Sequence, residues 1–163
     1  NSTGGTFSPN PAGISAVSSS TFTLGGARGE TNTSGDNYIA YCFSNVESYC
    51  KVGKFTGNAN ANGRFVYTGF KPAFLMVKGD NNYDGGGSIV NGYNWYMYDN
   101  ARSTYNVTDD ILAANKAFIE ESNAGVDFLS NGFKMRNNAA PNANVAQYYI
   151  AFAETPFKIA RAR

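Results

Sequence analysis

One run of residues has the spacing of a metal-binding loop. Asp80, Asn82 and Asp84 alternate and are followed by a glycine, as in the first six positions of a calcium-binding EF-hand loop. The twelfth position, where a bidentate Glu should stand, is Asn91. We therefore interpret residues 79–92 as a Gly-rich, solvated loop and expect no metal site.

The chain contains no histidine, which excludes Ser-His-Asp and Cys-His catalysis and His-ligated zinc. Two carboxylates suffice for glycoside cleavage, so Asp127 and Glu154 remain conceivable catalytic acids. Their spacing selects neither them nor any other pair. The sequence predicts a protein that is not an enzyme, with no catalytic residues and no cofactor.

Two cysteines, Cys42 and Cys50, lie eight residues apart. They could face one another across a short hairpin centred near Val46, which leaves one disulfide open. Without further cysteines or histidines they make neither a disulfide framework nor a zinc site. We expect two reduced thiols packed as small hydrophobic groups.

Three segments are rich in Gly and Asn and nearly free of acids: residues 57–63, 79–92 and 137–144. Side-chain amides and small residues suit adaptable hydrogen bonding to a glycan or a protein partner. Tyr83 and Tyr93 would supply an aromatic stacking surface beside the second segment. We expect the three loops to gather at one end of the domain and to bind without catalysing.

Four consecutive residues, Trp95, Tyr96, Met97 and Tyr98, alternate between the two faces of a predicted strand. We favour Trp95 in the core, with the tyrosines covering its rim. The alternative is that exposed aromatic rings at this strand stack on sugar rings.

Local charges give two further hypotheses. Asp99 and Arg102 are spaced to pair, and together with Asn106 they predict a loop fixed by a polar network. Residues 158–163 carry three positive charges. We favour a solvated chain end there, and the alternative is contact with a polyanion or an acidic neighbouring subunit.

The elements that must position these groups are predominantly strands. Apolar and alternating runs predict them at 20–24, 38–43, 49–55, 64–68, 73–78, 94–98, 126–129, 133–136 and 146–153. The run 38–43 is almost continuously apolar, as in a strand buried on both faces. Asn131 and Gly132 should supply the positive φ angles of a tight hairpin. Residues 109–121 are the one segment whose pattern favours a helix.

Two short segments of the chain are similar, because Tyr-Ile-Ala-Tyr at 38–41 recurs as Tyr-Ile-Ala-Phe at 149–152. Two neighbouring core strands in similar environments would explain it. A repeated module is the alternative.

Composition indicates the same fold class. The chain has 163 residues with 21 Asn, 18 Gly and 23 Phe plus Tyr, and turn formers interleaved with aromatics are typical of short strands and tight loops. We predict an all-β fold, an antiparallel β-sandwich with jelly-roll-like connections over residues 37–163. Residues 1–36 should form an extended, Gly/Ser/Thr-rich arm or linker.

The charge balance and the chain's start limit its partners. Thirteen basic and twelve acidic residues give a net charge of +1, without the basic footprint of a nucleic-acid binder. No apolar run approaches the roughly 18 residues of a membrane span. Because the start shows neither an initiator Met nor a signal-peptide pattern, we expect a processed chain or part of a longer protein.

Several motifs together resemble a known family. Residues 65–74, which read FVYTGFKPAF, are similar to the FVYTGF-x-PA core of an uncharacterised C-terminal β-domain in tail-fibre-like virion proteins of tailed phages and prophages. Further elements fit in order at 38–43, 53–58, 98–106, 126–134 and 151–157. The resemblance spans about residues 37–163. Tyr49 and Cys50 depart from its pattern.

The resemblance implies a structural and binding module on a phage particle, assembled in the host cytoplasm. The expected role is a tail-fibre or receptor-binding component that recognises the host surface or another virion protein. The alternatives are a capsid decoration protein and, in a different class, a glycan depolymerase. Because residues 1–36 contain few apolar side chains to order them alone, we expect a homo-oligomer, with a trimer as the favoured state.

Overall fold

In the computed structural model, residues 13–26, 32–80 and 94–155 are described. The chain divides into two compact units, residues 1–43 and residues 44–163. The described residues contain strands, turns and irregular segments, and none of them is helical. No helix in these ranges could therefore span a membrane. The predicted all-β, antiparallel class is confirmed.

The first unit contains a small hairpin. Strand β1 (Ile14–Val17) pairs antiparallel with β2 (Phe22–Leu24). The Ser18 hydroxyl oxygen accepts the Thr21 backbone N–H at 2.9 Å and so fixes the turn between them. The predicted strand at 20–24 corresponds to β2. Strand β1 was not predicted, because its few apolar side chains stand among turn-forming residues.

The predicted strand at 38–43 is wrong. These residues have no strand conformation and are exposed, and Ile39 and Tyr41 each keep 80% of their surface. As a neighbouring core strand, residues 38–43 would have to pair with residues 149–152. That segment is already hydrogen-bonded to other strands along both of its edges. The interpretation of the similar segments 38–41 and 149–152 as two neighbouring core strands is therefore also wrong.

The second unit contains eight strands in one sheet. They are β3 (Cys50–Thr56), β4 (Phe65–Tyr67), β5 (Pro72–Gly79), β6 (Tyr96–Asp99), β7 (Thr108–Ala113), β8 (Glu121–Leu129), β9 (Gly132–Met135) and β10 (Ala146–Ala153). The strand order is β3-β10-β5-β6-β7-β8-β9-β4, and every neighbouring pair is antiparallel. The sheet curls until it is nearly closed.

Aromatic rings join the two halves of this sheet across its interior. The ring of Phe133 on β9 lies 5.7 Å from that of Phe55 on β3 and 5.2 Å from that of Tyr149 on β10, both edge-on. Edge-to-face contacts at this separation are the favoured geometry for aromatic pairs. They place the two ends of the strand order over one another, so that one folded sheet encloses the core.

The predicted helix at 109–121 is also wrong, because residues 108–113 form β7 and β8 begins at Glu121. Ile111 and Ala113 are buried, whereas Asp110 and Leu112, which alternate with them, are not. This alternation has a period of two residues and is typical of a half-buried strand. The apolar residues that suggested a helical face therefore divide between the two faces of a sheet.

The predicted hairpin at 126–136 is confirmed, with Leu129 paired to Gly132 across a two-residue turn. The predicted backbone conformation of its turn is wrong, since neither Asn131 nor Gly132 has a positive φ. Glycine is required at 132 because a Cβ there would collide with the carbonyl oxygen of Val66 on β4. The Asn-Gly pair thus serves a close strand approach rather than a left-handed turn.

The core assignment at β6 is reversed. Tyr96 and Tyr98 are fully buried, and Trp95 and Met97 lie on the outer face, half-exposed. The Lys78 ammonium lies 5.9 Å from the centre of the Trp95 ring, within cation–π range. Alternation correctly separated the two pairs of residues, but it could not tell which pair faced inward.

The two thiols are free and lie in different environments. Cys50 is buried and Cys42 is exposed, so the predicted packing is wrong for Cys42. Val46 pairs with Cys50 itself, so a hairpin centred near Val46 with Cys42 opposite Cys50 does not form. Burial raises the pKa of the Cys50 thiol.

We expect a maleimide to label Cys42 in the native protein within minutes and to label Cys50 only after unfolding, because the reactive thiolate is suppressed by burial. Intact-mass spectrometry before and after denaturation measures this difference. Cys50→Ser should lower the free energy of unfolding by about 1 kcal/mol. Equal labelling of both thiols in the folded protein would contradict the assignment.

Candidate binding site at the amide end

Side-chain amides gather at one end of the folded sheet, where β3, β5, β7 and β9 end and β6 and β10 begin. We call this region the amide end and define it by seven residues: Asn58, Asn60, Asn94, Asn115, Asn137, Asn142 and Gln147. The described loops 57–63 and 137–144 contact each other there. Asp80 also donates its backbone N–H to Ala146 O at 2.8 Å, which brings the start of the third predicted loop to this end.

The predicted meeting of loops 57–63 and 137–144 is confirmed by these contacts. The third loop largely falls in 81–93, outside the described residues. Tyr83 and Tyr93, the candidate contact residues, lie there, as do the remaining positions of the EF-hand-like motif, so both remain predictions.

Asn142 holds the two described loops together. Its side chain is fully buried, and the two N–H groups of its Nδ2 are shared among three acceptors, Asn58 Oδ1 at 3.0 Å, Asn60 O at 2.8 Å and Asn137 O at 2.7 Å. Its backbone carbonyl accepts the Ala59 N–H at 2.7 Å. One amide thus satisfies groups from both loops, and the loops are positioned as a unit.

The first loop is further ordered by its own amides. Asn58 Oδ1 accepts the Asn60 N–H at 3.3 Å, and Asn60 Oδ1 accepts the Asn62 N–H at 2.8 Å. Asparagine side chains commonly stabilise turns through such contacts two residues ahead. Gly57 begins this loop because a Cβ there would collide with Ala143 O. These amides therefore act inside the loops, and the expectation that they are adaptable is wrong for Asn58, Asn60 and Asn142.

Two buried amide oxygens at this end have no hydrogen-bond partner within the described residues, Asn137 Oδ1 and Gln147 Oε1. The nitrogen of each amide is used, since Asn137 donates to Ala140 O at 2.8 Å and Gln147 to Ala143 O at 3.3 Å. Buried acceptors of this kind are usually satisfied by ordered water or by a donor on a ligand. The amide end thus retains hydrogen-bonding capacity beneath its ordered loops.

A second amide pair fixes the entry to β6. Asn115 Nδ2 donates to Asn94 Oδ1 at 3.2 Å, and Asn115 Oδ1 accepts the Trp95 N–H at 2.9 Å. Asn94 is fully buried, and it lies immediately after the undescribed segment 81–93. The chain that follows the candidate contact loop is therefore anchored by the amide end.

Charged groups dominate the opposite end of the sheet. The predicted Asp99–Arg102 pair is confirmed, with Arg102 Nε 2.6 Å from Asp99 Oδ2, and Arg102 also binds Glu120 at 2.7 Å. Asn106, the third member of the predicted network, bonds instead to the backbone of Phe128, through both its amide nitrogen and its oxygen. Asp99 and Arg102 thus fix the β6–β7 connection as predicted, whereas Asn106 joins this connection to β8.

The contacts with Arg102 change the pKa of the Asp99 carboxyl. Partial burial tends to raise the pKa of the Asp99 carboxyl, but hydrogen bonds from the Arg102 backbone and side chain outweigh it, so that the pKa is lowered. The pKa of Asp110 is lowered by hydrogen bonds from Ser122 and Ser103. A general acid in glycoside cleavage needs a raised pKa, so neither carboxyl has the character required.

The two acids considered for glycoside cleavage, Asp127 and Glu154, also form ion pairs. Asp127 Oδ2 lies 2.6 Å from Arg136 Nε, and Glu154 lies 2.9 Å from Lys71 Nζ. Asn100 also donates to Glu154 at 2.8 Å. Within the described ranges, no three His, Cys, Asp or Glu residues are grouped as a metal site. Both acids therefore have cationic partners in the folded domain.

Comparison with known proteins places this architecture in a family. A family model described as "Domain of unknown function (DUF7483)" matches residues 1–156. The chain belongs to the DUF7483 family. The match includes both units, so the DUF7483 pattern extends over the β1–β2 hairpin as well as the amide end. No curated protein and no solved structure matches the chain significantly.

Sequence reasoning missed the buried amides of the DUF7483 domain. Gln147 lies in phase with the buried Tyr149 and Ala151 along β10, and this phase was the signal that could have placed it inside. Asn142 carried no such signal, because its burial depends on a loop more than 80 residues away in the sequence.

Replacing the central amide should loosen both loops. We expect Asn142→Ala to lower the free energy of unfolding by about 2 kcal/mol, because buried groups in two loops lose their partner. Asn144→Ala is the matched control, since Asn144 lies in the same loop and is exposed, and it should change stability by less than about 0.5 kcal/mol. Urea unfolding of both variants measures the difference. Equal effects would show that Asn142 is not the link.

The ionic network should make stability depend on acidity. Because the folded-state pKa of Asp99 is lowered, its contribution is complete above the unfolded-state value of about 4 and is lost as the pH falls further. We expect Asp99→Asn to be less stable at neutral pH and to lose less stability between about pH 5 and 2 than the unchanged protein. Denaturant unfolding across this range tests it, and an unchanged acid slope would refute the assignment.

Proposed function

We propose that this DUF7483 chain is a non-catalytic structural and binding module of a tailed-phage virion, in which the amide end recognises a host surface glycan. The observation that carries the proposal is the joining of loops 57–63 and 137–144 through buried Asn142, beside both ends of segment 81–93. A rigid support of this kind presents a loop for recognition without building a catalytic centre.

The virion assignment is supported by the ordered motifs of residues 37–163, which resemble virion proteins. Two of these motifs, residues 65–74 and residues 126–134, contact each other in the domain. The FVYTGF-x-PA core supplies β4 and the start of β5, and Asn131 O accepts the N–H groups of Thr68 and Gly69 in its turn. In this proposal the chain is assembled in the host cytoplasm and works on the particle surface, as a tail-fibre or receptor-binding component.

Capsid decoration is the second candidate. On the outer face of β10 and β5, the partly exposed Phe152 and Phe74 replace the polar side chains usual on a solvated sheet face. Such a face favours contact with another protein. A decoration protein requires a protein contact and no glycan site, so the two candidates differ in what the amide end should bind.

We expect the protein to bind host surface polysaccharide, and Tyr83→Ala or Tyr93→Ala to weaken binding about tenfold or more through loss of ring stacking. Tyr105→Ala is the matched control, because Tyr105 is 85% exposed in the connection at the opposite end. Isothermal titration with purified polysaccharide measures affinity. A parallel assay for new reducing ends measures cleavage.

Three outcomes contradict the proposal. Release of reducing ends that disappears when two acids are replaced would establish a depolymerase. Binding that is unaffected by both tyrosine replacements would move the site away from 81–93. Absence of glycan binding, together with location of the chain on heads in an electron cryomicroscopy map of the particle, would establish decoration.

A further inference from the structure

The eight-stranded sheet of the second unit has two edges, and they differ in how their backbone groups are used. The strand order begins with β3 and ends with β4, so among the described strands each of these two has a neighbour on one side only. Unpaired N–H and C=O groups along such an edge form a template on which another strand can pair. Natural proteins usually block an edge with charged side chains, above all lysine, or cover it with a loop.

The edge of β3 is blocked in both of these ways. Cys50, its first residue, exchanges two backbone hydrogen bonds with Val46 in the preceding turn. Asn45 Oδ1 accepts the Val52 N–H at 2.7 Å, so the first half of this edge is covered. Further along the strand, the exposed Lys54 adds a positive charge. The edge of β3 therefore disfavours a further strand.

The edge of β4 has neither form of protection among the described residues. Thr68 donates its N–H to Asn131 O at 3.0 Å, and residues of an antiparallel ladder face their neighbour alternately, so Val66 also faces β9. The backbone groups of Phe65 and Tyr67 therefore point away from β9. These two N–H and two C=O groups, which we call the free edge of β4, have no hydrogen-bond partner within the described residues. The strand contains no charged side chain.

Exposed aromatic rings lie beside the free edge of β4. Phe65 and Tyr67 are 46% and 64% exposed, whereas Val66 between them is buried in the core. The Phe65 ring lies against Gly132 on β9, where a Cβ would be 2.8 Å from its Cε2 and Cζ atoms. Side chains of a strand added at this edge would pack against both rings, as in the aromatic cross-strand pairs that stabilise sheets. The edge thus offers backbone and side-chain contacts together.

The first unit contains an exposed segment of strand-forming residues. Residues 38–43 read YIAYCF and carry no charge, and they lie outside any strand, with Ile39 and Tyr41 each 80% exposed. No backbone–backbone hydrogen bond in the described ranges involves residues 38–42. Tyr-Ile-Ala recurs at 149–151 in β10, where it is hydrogen-bonded along both edges. The same three residues therefore form a strand in this protein when partner strands are present.

We propose that residues 38–43 of one copy of the chain pair, as an added strand, with the free edge of β4 in a second copy. Both backbones lack partners, both stretches are uncharged, and main-chain hydrogen bonds are the source of affinity in strand addition. Alternation along an added strand places Ile39 and Tyr41 on one face, where they can lie opposite the exposed rings of Phe65 and Tyr67. The contact uses none of the seven residues of the amide end and goes beyond the proposed glycan recognition.

The segment and the free edge are different surfaces, so each copy can give its segment to one neighbour and receive a segment from another. A contact of this kind closes into a ring or continues as an open chain. A ring of three copies would be the trimer expected from the sequence. Six residues against a three-residue strand form a small interface, and small interfaces are characteristic of transient contacts. We therefore expect reversible association that depends on concentration.

Amide hydrogen exchange measured by NMR tests the pairing in the unchanged protein, with reductant present to keep Cys42 reduced. The Tyr67 N–H should exchange at least about tenfold more slowly in concentrated than in dilute solution, because the added strand accepts it. The Thr68 N–H is the internal control, since it is bonded within the chain and should be protected at both concentrations. Exchange at Tyr67 that does not change with concentration would overturn the proposal. A single sedimenting monomer up to about 1 mM would also overturn it.

Two variants that each keep one half of the contact identify the occupant. Phe65→Pro removes an outward N–H, a change that edge strands tolerate, and Tyr41→Asp places a charge in the segment. Each variant alone should remain monomeric at concentrations at which the unchanged protein associates. When mixed, they should form a one-to-one complex in sedimentation velocity, because the edge of one variant and the segment of the other are intact.

Each variant has a matched control. Tyr105→Asp makes the same change at a tyrosine of 85% exposure outside both surfaces and should associate like the unchanged protein. Phe65→Ala removes the ring but keeps the N–H, so it should weaken association less than Phe65→Pro does. Circular dichroism and urea unfolding measure whether the variants remain folded. If Phe65→Pro unfolds the domain, Tyr67→Lys replaces it, because lysine on an edge also disfavours pairing.

Three further results would overturn the proposal. Self-association of Tyr41→Asp equal to that of the unchanged protein would show that two β4 edges pair with each other. Protection of the Tyr67 N–H at every dilution would assign the edge to the chain's own segment. Equal effects of Phe65→Ala and Phe65→Pro would assign the contact to the ring alone. Glycan binding by both variants measures the amide end separately, so failure of this proposal is distinguishable from failure of the proposed function.

Discussion

The edge-on contacts of Phe133 with Phe55 and Tyr149 are the interaction on which the second unit depends. They join β9 to β3 and β10 through the interior, although these strands are separated by several others in the sheet order. A flat sheet of eight strands would leave both faces exposed. Once these rings curl the sheet, the two ends of the strand order come together across the interior, and the loops 57–63 and 137–144 that connect them meet. The amide end follows from this closure, whereas the Asp99–Arg102 pair is local to the β6–β7 connection.

Much of the strand pattern was predictable, and the reasons are local. The hairpin of β8 and β9, the strand β5 and the strand β10 were all predicted because alternation or a strongly apolar run coincided with turn residues at their ends. The failures share one cause. The pattern of Tyr38 to Phe43 favours burial, but it does not say whether a neighbouring strand exists. Similarly, the alternation at Trp95 and Tyr96 defined two faces without indicating which one the core would take.

The candidate site was predictable only in outline. Gly- and Asn-rich composition indicated which loops would meet, and two of them do. The ordering of those loops by Asn142 was not predictable, because it depends on backbone groups near position 60 that become neighbours only when the sheet closes. The Asp99–Arg102 pair was predictable, since both partners lie within one turn of chain. Contacts between near neighbours were thus accessible to sequence reasoning, and those made by tertiary folding were not.

The chemistry of the amide end has a further consequence for the conditions under which the domain keeps its shape. Carboxamides neither gain nor lose protons in the ordinary range of acidity, and their hydrogen bonds involve no net charge for salt to screen. Asn58, Asn60 and Asn142 therefore hold the loops in the same arrangement in dilute or concentrated electrolyte, and in mildly acidic or alkaline surroundings. The ion pairs at the opposite end weaken as ionic strength rises. The arrangement of these loops is thereby less sensitive to salt and acidity than the ionic network around Arg102 at the opposite end.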